Sequence, residues 1–413
     1  MAVRRRPWCA AKRNLQTKET GMNKLRGLLV QLMIACVALV AGAQTDSVHV
    51  SLITFYPGSE LFEVYGHSEL RVRTADSDLF FNYGVFDFHS PNFVYRFAAG
   101  ETDYKCVALP GFYALGGYTG RKMVEQELNL TQEQAVAVRD MLIENAMPEN
   151  ATYRYKYFSD NCATRPRDII EKTVGESLRY PAMTDTLTFR QILTRYDKNY
   201  AWERFGIDLA LGAAVDTLVT YRQQMFIPMV LMKAVGGATI ERDGKRVPLV
   251  KAECVLMPGD DNGTILPPTP WWQTPLAAAW LLLVVALGVT VADQRRGKVT
   301  RWFDTVLALA YTAGGCLMFF LVFVSSHEGI TPNANALWLH PLHIVPAVLL
   351  WFPKASKALR AVGWCNVAAM VLALVTVGLV QSANAAVYPL ILVPLARNLN
   401  YLLINKKCAA RNK

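Results

Sequence analysis

Two short segments carry residues able to make and break acyl bonds. They are Tyr65-Gly66-His67-Ser68-Glu69 and Asp160-Asn161-Cys162-Ala163-Thr164-Arg165. A thiolate nucleophile beside an imidazole base is the minimal equipment for acyl transfer. Taken singly, each residue has a plainer reading: a histidine opening a strand is commonly structural, and a lone cysteine is commonly a small buried hydrophobe. Cys162, however, stands between Asn161 and Arg165, a polar capping context foreign to a core cysteine.

The elements that must position this pair can be read from periodicity and punctuation. Alternation from Val48 to Thr54, Glu69 to Arg73 and Leu79 to Tyr83 predicts strands, and Phe93 to Phe97 continues the β character. His67 therefore opens a strand. Thr131 with Gln134 forms a capping box that starts a helix running to about Asn145. Tyr153 to Tyr157 is an extended aromatic run ending in the capping residues Ser159-Asp160-Asn161, and Ile169 to Val174 before Gly175 is a helix with its stop signal. Pro166 fits only the first turn of that helix, which puts Cys162 at or just before its start. A helix N-terminus carries about +0.5 charge and lowers a cysteine pKa. Phe189 to Arg195, Ile207 to Leu218 and Tyr221 to Lys233 read as further helices, Asp243-Gly244 as a hairpin turn, and Leu266 to Pro270 as a stiff linker.

The chain has 413 residues, is 52% hydrophobic and carries a formal charge of +10. The basic excess lies near the N-terminus and in short loops between apolar runs, with no basic stripe and interleaved aromatics, so nucleic acid is excluded as a partner. Met22 opens a conventional leader: Lys24 and Arg26, an apolar run from Leu28 to Val40, and Ala41-Gly42-Ala43 as cleavage site. Residues 1–43 are thus read as an upstream extension plus signal peptide, 44–265 as an exported domain, and 266–413 as a transmembrane domain. Cys36 lies inside the apolar run and is not a lipidation site.

Five apolar runs follow Trp271-Trp272: Leu276 to Ala292, Val306 to Val324, His343 to Phe352, Val362 to Val380 and Val387 to Leu403. The third is short and contains Pro346, so it is re-entrant or extends back through Leu337-Trp338-Leu339. Lysine and arginine crowd the loops after the first and third runs and the tail, and are absent from Ser325 to Pro341 and Gln381 to Ala386. That alternation predicts about five spans in the inner membrane, with the exported domain in the periplasm and the C-terminus in the cytoplasm. His327, His340 and His343 sketch a metal site, but the proline after His340 spoils the helical spacing, and neither metal nor cofactor is expected. Cys106, Cys162 and Cys254 are an odd number of exported thiols; if Cys106 pairs with Cys254, Cys162 stays reactive.

The order of histidine before Asn-Cys resembles the permuted papain-like group that includes lecithin:retinol acyltransferase. More closely, Tyr65 to Val72, Asn82-Tyr83-Gly84-Val85-Phe86-Asp87-Phe88, Asp160 to Asp168, Met225-Phe226-Ile227-Pro228 and the loop with Asn333 and Asn335 ahead of Leu337 to Pro341 are similar to the Lnb family of lipoprotein N-acyltransferases of Bacteroidota. The resemblance spans essentially the whole mature chain. It implies an α+β permuted papain-like exported domain followed by an α-helical transmembrane domain of about five spans. It also implies Cys162 as nucleophile, His67 as base, a phospholipid acyl donor and a diacylated lipoprotein acceptor at the membrane. A third group should orient the imidazole; Asn82 is the first candidate, with packing as its alternative. Asn161 and Arg165 are supporting candidates; Arg165 suits a phosphate or an oxyanion, or else Arg165 and Arg167 pair with Asp168. Tyr83 is read as core. A cell-wall peptidase of the NlpC type and a non-enzymatic scaffold are the rival readings, the latter requiring Cys162 to be buried or disulfide-bonded.

Overall fold

The computed structural model describes residues 47–411 apart from 118–119, 183–184 and 261–265. The leader assigned to residues 1–43, Cys36 included, lies outside the described residues. The N-terminal domain is built on a seven-stranded antiparallel sheet in the order β6-β4-β3-β2-β1-β5-β9. Its strands are β1 (His49–Phe55), β2 (His67–Arg73), β3 (Asp78–Val85), β4 (Asp103–Pro110), β5 (Met123–Leu128), β6 (Thr152–Arg154) and β9 (Val250–Met257); β7 (Thr239–Arg242) and β8 (Lys245–Pro248) form a separate hairpin. The hairpin turns at Asp243 and Gly244, both at positive φ, as an Asp-Gly turn requires. From β1 to β4 the chain is a meander. β1 is buried on both faces from Val50 to Phe55, so the central strand is covered on both sides.

Helices α1 (Phe93–Ala98), α2 (Gly111–Gly117), α3 (Gln132–Ala146), α4 (Thr164–Val174), α5 (Phe189–Asp197), α6 (Ala201–Ala210), α7 (Tyr221–Gln224) and α8 (Pro228–Gly236) complete this domain. The Thr131–Gln134 capping box that starts α3 is present with both reciprocal bonds. Four expectations need correction. Phe93 to Phe97 is helical, with Phe93 and Phe97 stacked one turn apart and His327 bonded at Phe97 O. Of Tyr153 to Tyr157, only the first two residues lie in β6, and the rest belongs to the turn that leads to Cys162. The helix expected over 207–218 occupies Ala201–Ala210 instead: the N–H groups of Gly212 and Ala213 bond Gly329 O and Pro332 O at 2.8 and 2.7 Å and are lost to any helix. The helix expected over 221–233 is split at Pro228, which starts α8.

Cys106 and Cys254 are both free thiols. They sit on β4 and β9, five strands apart, about 24 Å at the usual strand spacing. A disulfide needs Cα atoms within about 7 Å, so the conditional pairing fails. The linker from Leu266 to Pro270 is held against the sheet domain. Leu266 O accepts from Asn199 Nδ2 at 3.0 Å, and Thr269 Oγ1 donates to Asn199 O at 3.1 Å, tying it to the sheet domain.

The C-terminal domain holds α9 (Pro275–Arg296), α10 (Arg301–Phe323), α11 (Ile344–Leu349), α12 (Ser356–Leu379) and α13 (Val387–Arg411). All but α11 are long and apolar enough to cross a membrane. Between α10 and α12 the chain is broken into short helical pieces. Asn333 Nδ2 donates to Leu209 O of the sheet domain, Leu339 and His340 pack on Gly314 and Gly315 midway along α10, and Trp351 Nε1 donates to Thr305 near the start of α10. The segment therefore lies along α10 through Leu337-Trp338-Leu339, with Pro341 starting the piece Pro341–His343 and Pro346 within α11. At the far end from the sheet, Arg397 of α13 binds Asp304 of α10 and Asp293 of α9, each at 2.6 Å.

Candidate active site

β2 and the start of α4 meet at one place. Gly66, at φ +81° and with its missing Cβ facing Phe55 O, lets the chain turn sharply into β2 and delivers His67 as that strand's first residue. Asn161 does the equivalent for Cys162. Its Oδ1 accepts from the N–H groups of Ala163 and Thr164 at 2.8 and 3.0 Å, and its Nδ2 donates to Tyr157 O and Phe226 O at 2.9 and 3.0 Å. All of the amide's usual valences are engaged, so Asn161 fixes the turn that presents Cys162, two residues before α4.

The His67 imidazole lies close enough to Cys162 to lower its thiol by charge and hydrogen bonding. Its Nε2 lies 3.0 Å from Asn82 Oδ1 on β3, opposite Glu69 in the sheet register. A carbonyl oxygen accepts only, so in the neutral ring Nε2 carries the proton and Nδ1 is the basic nitrogen. Buried Glu69 lies behind, with Oε1 3.5 Å from the same Nε2. Burial pushes the Cys162 thiol up, but the charge and hydrogen bond of His67, joined by the N–H groups of Ser68 and of Cys162 itself, outweigh it, and the net direction is down. Cys162 is half-buried and unbridged. This is the opposite of Cys106, whose thiol burial pushes up to about 11.

Family models decide the setting. One described as the Lnb N-terminal periplasmic domain matches residues 39–195, and one described as the Lnb transmembrane domain matches residues 268–408. The chain belongs to the Lnb family. No curated protein and no solved structure matches it. It is a membrane protein with a periplasmic domain ahead of its membrane helices.

In this Lnb chain the remaining candidates have defined partners. Arg165 does not pair with Asp168: its guanidinium grips Asp160 through Nε at 2.7 Å and again through Nη2, and lies 3.9 Å from the centre of the Tyr153 ring. Arg167 is the partner of Asp168, which Arg222 shares. Tyr83 is fully buried and accepts a hydrogen bond from Asn145, as a core residue does. His340 and His343 stack with ring centroids 4.4 Å apart, whereas His327 sits at Phe97 O. Among the described residues no cluster of three or more histidine, cysteine, aspartate or glutamate groups is placed to hold a metal ion.

Three neighbours were not singled out as site residues from sequence. Gly84 carries no side chain where a Cβ would lie 2.9 Å from His67 Cε1 and 3.3 Å from Asn82 Oδ1. Tyr155 meets the Tyr157 ring at 6.4 Å; burial first, then the charge of Cys162, push its phenol well above the ordinary range. Glu328, from the loop between α10 and α11, accepts from Ser159 Oγ at 2.5 Å and Phe158 N at 3.2 Å, bracing the turn before Cys162. The Asn-Tyr-Gly sequence was the available signal for Gly84; nothing local marks a contact 169 residues distant.

Proposed function

We propose that this chain is a cysteine-dependent N-acyltransferase of the inner membrane, facing the periplasm, with its C-terminus in the cytoplasm. Cys162 takes an acyl chain from a membrane phospholipid and passes it to the α-amine of a diacylated lipoprotein. The observation that carries the reading is His67, bonded to Asn82 and placed where it lowers the Cys162 thiol, in a chain whose two halves both match Lnb domains. In the first half-reaction the thiol proton moves to His67 and the sulfur attacks the ester carbonyl. The C–O bond then breaks, and His67 returns the proton to the departing lysophospholipid oxygen, leaving a thioester. In the second, the neutral fraction of an α-amine, whose pKa is about 7.7–8.0, attacks that thioester. His67 takes a proton from nitrogen, the C–S bond breaks, and the thiol is regenerated. The Asn82 bond holds His67 in the tautomer both halves need.

Donor-only trapping tests this. Protein given phospholipid but no acceptor should gain one fatty-acyl mass on the peptide containing Cys162, labile to hydroxylamine. A diacylated lipopeptide with a free α-amine should discharge it, and its N-acetylated form should not. A cell-wall peptidase forms no fatty thioester and a scaffold forms no adduct; absence of lipid on Cys162 in protein that still N-acylates lipopeptide would overturn the thiol mechanism.

A further inference from the structure

Helix α1 is strange for a helix in water. Its sequence Phe-Val-Tyr-Arg-Phe-Ala buries no residue, with Val94 80%, Tyr95 56% and Phe97 42% exposed, and Phe88 just before it is 61% exposed. Contiguous exposed apolar surface of this kind marks a surface that meets something apolar. What it meets is indicated by where α1 is moored. Tyr95 packs on Phe320 of α10 with ring centroids 5.6 Å apart, and Ser326 N donates to Ala99 O at 2.9 Å. Phe320 lies in the last turn of a membrane-crossing helix whose following residues Phe323 and Val324 are themselves exposed. The apolar face of α1 is thus level with the end of the α10 span.

From that face an unbroken series of rings leads inward. Phe88 meets Phe93 at 5.1 Å, Phe93 stacks on Phe97 at 6.0 Å, and Phe97 stacks on Tyr155 at 6.3 Å. Phe86 closes the series against Tyr155 at 5.2 Å. Tyr155 in turn meets the Tyr157 ring at 6.4 Å, and Tyr157 O accepts at 2.9 Å from Nδ2 of Asn161, the residue that precedes Cys162. The aromatic series therefore has one end at the bilayer and the other at the turn that presents the nucleophile.

We propose that α1 with the Phe86–Phe88 turn is a lip seated in the periplasmic leaflet, and that its aromatic series receives the acyl chain of the donor lipid and brings its ester to Cys162. The inference rests on the acyltransferase reading and adds to it the surface that selects a membrane lipid over a soluble ester. Continuity with α10 singles out lipid as the occupant: a protein partner would have to cover a face already level with the end of a membrane span.

The test uses full-length protein in vesicles of phosphatidylethanolamine and phosphatidylglycerol. Acylation of Cys162 is read by intact mass with two donors, vesicle phospholipid and the water-soluble ester p-nitrophenyl butyrate. Val94→Glu and Phe97→Glu should each lower the phospholipid-to-butyrate rate ratio at least tenfold; a ratio equal to wild type in both would overturn the lip. Val94 is exposed and Phe97 partly so, and a second measurement needs no substitution at either. Phosphatidylethanolamine with a diazirine at the acyl terminus should label residues 86–98 in Cys162→Ser protein. Label on α9 and α10 with none on 86–98 would overturn the lip whatever Cys162 does. Wild-type protein that takes acyl from neither donor, yet is labelled on 86–98, would retain the lip and sink the acyl-transfer reading instead.

Discussion

Cys162 and His67 depend on each other electrostatically, and the dependence has a sign that can be measured. Burial alone raises the thiol, and the imidazole with two backbone N–H groups brings it below the ordinary range. Iodoacetamide labelling of Cys162 against pH should therefore have its midpoint below that of a free cysteine, about 8.5. In His67→Ala the lowering partner is gone while burial stays, so the midpoint should move up. Cys254, which burial and Glu125 raise, should label later than Cys162 in the wild type. A His67→Ala midpoint unmoved from wild type would detach the thiol from the imidazole. Cys162→Ser should abolish turnover with folding intact, a loss up to about 10⁶-fold by comparison with other nucleophile deletions. Gly84→Ala is a finer probe: a Cβ 2.9 Å from the imidazole must displace it, and turnover should fall about tenfold or more with little change in melting temperature, since a 1 Å misplacement can cost about 10²-fold. Unchanged turnover would show that the ring has room to move.

At the scale of elements, α5 places a carboxylate where water cannot reach it. Asp197 is 2% exposed among Tyr65, Tyr157, Arg204 and Asp208, and burial, only partly offset by Arg204, pushes its pKa up to about 7. A carboxyl whose folded pKa is raised binds its proton in the native state and not in the unfolded one between about pH 4 and 7, so stability falls as pH rises through that window. Asp197→Asn should raise the melting temperature at pH 8 more than at pH 5; the reverse order would mean the ionised form is the one the fold prefers. The same scale shows what sequence could and could not disclose. The strands around His67, the capping box at Thr131, and the position of Cys162 ahead of α4 follow from local signals, and Asn82 could be nominated because a neighbouring strand lies within reach of His67. The misreadings at 93–97 and 207–218 share one cause. Partners from the helical domain decide those backbones: Ser326 and His327 bond Ala99 and Phe97, and Gly329 and Pro332 take the N–H groups of Gly212 and Ala213. Local periodicity has no means of registering such bonds. The pairing of Arg165 was hidden for a related reason, since its carboxylate, Asp160 and not Asp168, is found only in space.

Across the whole molecule, the site is braced from the membrane side. Glu328→Ala should remove the clamp on Phe158 and Ser159 and slow thioester formation several-fold without touching Cys162 or His67; wild-type kinetics would show that the Asn161 turn is self-supporting. The loop charges with the broken segment between α10 and α12 predict that a reporter fused after Lys413 works only in the cytoplasm, and periplasmic activity of that fusion would refute the five-crossing topology. The Arg397 cluster bears on a different matter, how the chain gets into the bilayer. An arginine at the centre of a lone membrane helix is unfavourable by about 2.5–3.5 kcal/mol on insertion scales, and α13 is the least apolar of the four long helices. Its counter-charges, Asp293 and Asp304, arrive on α9 and α10, which leave the ribosome first. The last helix thus enters a membrane where its receptor is already assembled, so integration of α13 is a readout of correct α9–α10 pairing, and a chain with Asp293 and Asp304 both changed to leucine should be synthesised with its final segment left outside the bilayer.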